Sequence, residues 1–119
     1  MNRELTLNEN ATVILNAFGD GTAQLGPHGH GVEWRPDVAS VKTNQTPPIN
    51  NEATCQIYVG NAPTADNFVD STFTGSSGDS SGNVRVPLRV GSSIFAVWHN
   101  GDAGAQATLT VVGTQVLEQ

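Results

Sequence analysis

The apolar positions of this 119-residue chain recur with a period of two far more often than with a period of three or four. From Ser92 to Val116 the chain reads S-S-I-F-A-V-W-H-N-G-D-A-G-A-Q-A-T-L-T-V-V-G-T-Q-V, two apolar runs around a turn-rich tip, His99–Gly104. In the first run Ile94, Ala96 and Trp98 alternate with Phe95, Val97 and His99; in the second Ala107, Leu109 and Val111 alternate with Thr108, Thr110 and Val112. Alternation of β-branched and aromatic residues broken at Asn-Gly and Ala-Gly predicts a β-hairpin. Both faces of the first run are apolar, so that strand is expected to be central and covered on both sides.

The same reading places a strand over Thr12–Phe18, a turn at Gly19-Asp20-Gly21 and a short partner over Thr22–Leu25. Val32–Arg35 and Asp37–Thr43 read as one strand interrupted at Pro36, where an edge or a bulge is expected. Further strands are predicted over Ala53–Gly60, Ser71–Thr74 and Asn83–Val90, with Val84, Val86, Leu88 and Val90 on one face of the last. Gly75–Gly82, G-S-S-G-D-S-S-G, reads as a flexible loop, and Asn44–Glu52 as a polar connection. No stretch carries a helical period beyond one turn. Seven or eight short strands separated by Gly, Pro, Asn and Ser predict an all-β fold: a single antiparallel β-sandwich, immunoglobulin-like or jelly-roll. Its expected core includes Ile14, Ile57, Val59, Val86, Leu88, Phe95, Val97, Trp98, Leu109 and Val111. The expected division is an extended N-terminal arm (1–11), the sandwich (12–116) and a short tail (117–119).

Charge narrows the function classes. Eleven acidic residues against five basic ones give a net charge of -6, and Arg3, Arg35, Lys42, Arg85 and Arg89 are scattered. With no basic patch, neither nucleic acid nor an anionic membrane is an expected partner. The single cysteine, Cys55, shares an alternation face with Ile57 and Val59 and is expected to be a buried, reduced thiol. The N-terminal residues hold no apolar signal-like run, which predicts an unprocessed chain made in a reducing cytoplasm.

Candidate chemistry is sparse. His28-Gly-His30 puts two imidazoles on one side of an extended segment and, with Glu33, faintly echoes a cupin metal motif. The spacing is too short and no second-motif histidine is in place, so no metal and no cofactor is expected. His99 and Asp102 lie three apart at a turn with no nucleophile beside them, and a turn role is the better reading. The Gly-Ser stretch lacks the lysine and helix of a phosphate loop. Asp66, Asp70, Asp79 and Asp102 include no calcium-loop spacing. The residues expected to meet a partner are Leu5 and Leu7 on one face of the arm, together with Trp34 and Tyr58. Trp34 is expected to be partly exposed, and such aromatics also suit a carbohydrate-binding module.

Taken together, G-P-H-G-H-G-V-E-W, V-A-S-V-K-T, A-T-C-Q-I-Y-V-G, N-F-V-D-S-T-F-T-G-S-S-G-D-S-S and I-F-A-V-W-H-N-G-D-A-G-A-Q-A-T-L-T-V-V-G-T span roughly residues 11–114. In this order they resemble small virion proteins of tailed bacteriophages, notably those infecting actinobacteria. The resemblance implies a structural, non-enzymatic role in the virion, as capsid decoration or as a minor tail protein. The implied partners are the major capsid protein or other virion proteins, with homo-oligomers in the particle. It offers no catalytic residues.

Overall fold

The computed structural model describes residues 2–44, 53–73 and 78–118. Eight strands run β1 (Asn2–Ile14), β2 (Gly21–Leu25), β3 (Val32–Asn44), β4 (Thr54–Gly60), β5 (Phe68–Phe73), β6 (Gly78–Ser81), β7 (Ser93–His99) and β8 (Gln106–Glu118). The helical content among the described residues is one 3-10 turn, Ala65–Asn67. Two antiparallel four-stranded sheets form, ordered β1-β8-β3-β6 and β2-β7-β4-β5. The first with the eighth, second with seventh, third with sixth and fourth with fifth pair as if one long hairpin had been rolled up. That is the jelly-roll order, not the immunoglobulin order, in which the first strand lies beside the second.

The rolled topology corrects both predicted hairpins. β7 and β8 lie in different sheets, and so do β1 and β2. The connection after β7 crosses between sheets instead of folding back, because β7 already has β2 and β4 on its two edges. Thr12–Phe18 is likewise not one strand: β1 ends at Ile14, and a turn closes with Gly19 N–H donating to the Asn16 carbonyl (2.9 Å).

Alternation decides what each strand buries. On β8, Ala107, Leu109 and Val111 are fully buried between the sheets while Gln106 and Val112 face out. On β1 the rungs opposite Ala107 and Leu109 carry Val13 and Ala11, the rung opposite Val111 carries Glu9, and Leu7 is buried further along. Ile14 therefore falls on the outer face and is 59% exposed, against the expectation that it joins the core. Val59 and Val97 are only partly buried.

β3 carries the bulge expected at Pro36. Pro36 faces Gly113, Val38 faces Val112, and Asp37 is the additional residue between them. The extra residue shifts the inward parity from Trp34 and Pro36 to Ala39, Val41 and Thr43. Gly113 belongs to this geometry, since a Cβ there would sit 2.8 Å from both Asp37 N and Pro36 Cα. β3 is an interior strand, but β6 pairs only with Ala39–Lys42, so the missing Pro36 N–H interrupts no ladder on that side.

Asn83–Val90 does not form the predicted strand. Val86 N–H donates to the Val84 carbonyl (2.7 Å) in a tight turn, and only Leu88 makes a bridge, to Trp34. Val84 and Leu88 are buried, while Val86 and Val90 are 45% and 42% exposed. The spacing inward is thus four, because Pro87 and the turn break the extended repeat. Within the Gly-Ser stretch, Gly78–Ser81 is strand β6 rather than loop. Thr74, residues 75–77 of that stretch and most of the 44–52 connection lie outside the described residues.

Cys55 is fully buried on the inner face of β4, and burial pushes its thiol from an ordinary 9.0 up to about 12, against a smaller opposing backbone hydrogen bond at Val97. Native protein is therefore expected to resist thiol reagents at pH 8 and to label only on unfolding; rapid native labelling would contradict this packing. The sign of the linked pH effect follows: the folded state holds the proton longer, so the contribution is constant below about pH 9 and lost as pH rises towards 12.

Candidate functional site

The four residues expected to meet a partner divide between two places. Leu5, Leu7 and Trp34 share the inner face of the first sheet, and Leu5 and Trp34 flank Gln115 on one rung. Leu7 is fully buried and Leu5 partly so. Trp34 is 5% exposed, not partly open, because its N–H and carbonyl each bond Leu88 at 2.8 Å and draw the 82–92 segment over the ring. Tyr58 lies on the outer face of the second sheet, away from the other three. Its ring meets Phe68 edge-on at 5.9 Å, and its hydroxyl donates to Gln56 Oε1 (2.7 Å). Phe95 sits on the same rung as Tyr58 and is 5% exposed, so these aromatics form a small cluster outside the main core.

The segment read as an N-terminal arm is, from Asn2, the body of β1, paired to β8 over 13 rungs without a register shift. The strand is extended, but its docking surface is already occupied on one side by this chain's own β8. Its other side is an edge of the first sheet to which no strand pairs among the described residues. Thirteen residues at ~3.3 Å each account for most of the molecule's 53 Å long axis. Arg3, Leu5, Leu7 and Glu9 alternate along one face of this edge. Arg3 and Glu9 are exposed, and neither has an ion-pair partner among the described residues. Sequence reasoning singled out the two leucines but passed over the two charges that bracket them at the same period.

Glu33, Arg35, Arg89 and Glu118 are joined in one ion-pair cluster. Glu33 accepts from Arg35 Nε (2.6 Å) and lies 3.0 Å from Arg89, which also bonds Glu118 at 3.1 Å. The Arg35 hydrogen bond, opposed by partial burial and aided by the charges of Arg35 and Arg89, holds the Glu33 carboxyl below its ordinary range. The cluster ties β3, β8 and the 82–92 segment together.

At the opposite end, Asn16 Oδ1 accepts from the N–H groups of Phe18 (2.9 Å) and Asp20 (3.1 Å), building a braced turn that presents Phe18 at 81% exposure. His99 Nδ1 is 3.5 Å from Asp20 Oδ1. His99 is thus brought to Asp20, 79 residues away in the chain. His28 and His30 are both exposed. Among the described residues no three His, Cys, Asp or Glu side chains converge as metal ligands would.

No protein-family model matches the sequence, and comparison with curated proteins finds no match. The surfaces themselves carry the functional argument. Three stand out: the open β1 edge, the braced Phe18 turn and the Tyr58–Phe68 cluster.

Proposed function

We propose that this chain is a structural protein of a tailed-bacteriophage virion, coating and stabilising the capsid surface, with a place in the tail as the alternative. The role is one of contact, not catalysis. The observation that carries it is the 13-residue strand β1, open along one side at the edge of a jelly roll. A stable partner interface buries on the order of 1,200–2,000 Å², and a long strand edge offers main-chain bonding over a length that isolated loops cannot match. The jelly roll is used by viral shells among many other proteins, so the architecture supports the reading without specifying it. The segment resemblance supplies the phage context, with the major capsid protein or other virion proteins as partners.

A carbohydrate-binding adhesin is the second reading. The half-exposed Phe68 against Tyr58, with Gln56 beside them, supplies an aromatic platform and an amide on one outer face. Trp34 no longer contributes, because it is buried.

The test is mass spectrometry of purified particles, with this chain expected at a fixed stoichiometry to the major capsid protein. Its absence from particles overturns the virion reading, and glycan binding lost on Phe68→Ala would favour the adhesin. Deletion of residues 2–10 is not a clean docking test, since it removes the buried Leu7 and most of the β1–β8 ladder.

A further inference from the structure

An open strand edge is a template for another strand, and folded proteins usually blunt it with proline, a bulge or charge. β1 contains no proline and no register shift. It does carry charge, at Arg3 and Glu9, both on the parity that faces inward. Inward-pointing charge is itself one way an edge is protected, but the spacing of these two opposite charges adds a second property.

If two β1 strands meet antiparallel about a two-fold axis, the faces of the joined sheet match only when the paired residue numbers sum to an even value. Among those registers, the sum of twelve sets Arg3 opposite Glu9 twice. It also sets Leu5 opposite Leu7 twice and leaves Thr6 facing its own counterpart. No other face-matched register brings opposite charges together. A sum of eight or eighteen would oppose Glu4 to Glu4 or Glu9 to Glu9, which is unfavourable across strands.

We propose that a second copy of this chain docks on the free edge of β1, the two strands antiparallel and each Arg3 opposite the partner's Glu9. The two first sheets become one eight-stranded sheet, and the half-buried Leu5 continues the apolar inner face against the partner's Leu7. The contact is isologous, so it closes at two copies. The inference stands apart from the virion reading: a dimer that never enters particles leaves it intact.

Sedimentation of the full chain over a concentration series extending to high micromolar is expected to show twice the 12.5 kDa of one chain. Glu9→Arg turns both attractive pairs repulsive and is expected to raise the dimer dissociation constant about tenfold or more, as is Arg3→Glu. The double reversal, Arg3→Glu with Glu9→Arg, is expected to restore the dimer, an outcome that damage to the fold would not produce. Thr6→Cys under mild oxidation is expected to give a disulfide-linked dimer, while Thr12→Cys is not, because only position 6 meets itself. A chain that stays monomeric at every concentration overturns the proposal and assigns Arg3 and Glu9 to edge protection. Failure of the double reversal to restore dimer, or equal cross-linking of Thr6→Cys and Thr12→Cys, overturns the register.

Discussion

Trp98→Ala is expected to cost about 3–5 kcal/mol of folding stability, the range for emptying a packed aromatic site. Trp98 is fully buried, on the inner face of β7, with Ile94 and Ala96 on the same face and in the same core cluster. Its rung neighbours are Gly21 on β2 and Cys55 on β4. Both are small, so neither reaches into the space an alanine would leave, and the two strands that hold them are fixed by their ladders. The indole Nε1 is buried with no hydrogen-bond partner among the described residues. Trp98→Phe therefore removes an unsatisfied donor along with volume and is expected to cost clearly less than the alanine change. Urea unfolding monitored by circular dichroism reads both differences. An alanine variant within ~1 kcal/mol of the parent would show that the ring is not the packing centre of the sandwich.

Gly19→Ala is expected to lose about 2–4 kcal/mol, from a conformation and a clash acting together. Gly19 has φ of +77°, in the left-handed region. A Cβ there would overlap the Gly101 carbonyl oxygen and lie 2.6 Å from Gly101 N. Neither atom is free to retreat, because Gly101 N–H donates to the Gly19 carbonyl at 3.0 Å. That bond joins the β1–β2 turn to the β7–β8 connection, so the clash falls on the junction of the two sheets. Gly19→Asn separates the causes. Asparagine tolerates positive φ better than alanine, yet its Cβ meets the same carbonyl, so little recovery is expected. Thermal unfolding of the two variants decides it: stability within ~0.5 kcal/mol of the parent in either would remove the close approach as the reason for glycine.

Period-two patterning was enough to make the chain all-β and to orient much of it. The inward set Ala107, Leu109 and Val111 on β8, the inward Cys55 and Ile57 on β4, and the bulge at Pro36 all follow from local alternation and from a ring that lacks an N–H. The two apolar faces of β7 likewise announced an interior strand. Part of the interaction surface was legible too, since Leu5 and Leu7 stand at the same period on β1. Arg3 and Glu9 stand at that period as well, but a charge alternating with polar residues carries no sign of a sheet edge until the edge is known.

Strand pairing was decided by the tertiary structure alone. An alternating run shows which side chains seek a core, and any neighbour that supplies apolar surface satisfies it. β7 and β8 could bury their faces as a hairpin or across a sandwich, and their sequences favour the nearer solution. Rolling the chain instead pairs each strand with a distant one, the N-terminal strand with the C-terminal one above all. Parity then follows from the pairing: Ile14 is turned outward by the register that buries Leu7 and turns Ala11 and Val13 inward. Trp34 is covered because Leu88 bonds its backbone, a contact between residues 54 apart in the chain. The sequence specifies apolar faces locally, while the partner of each face is set by the sum of all of them closing around one core.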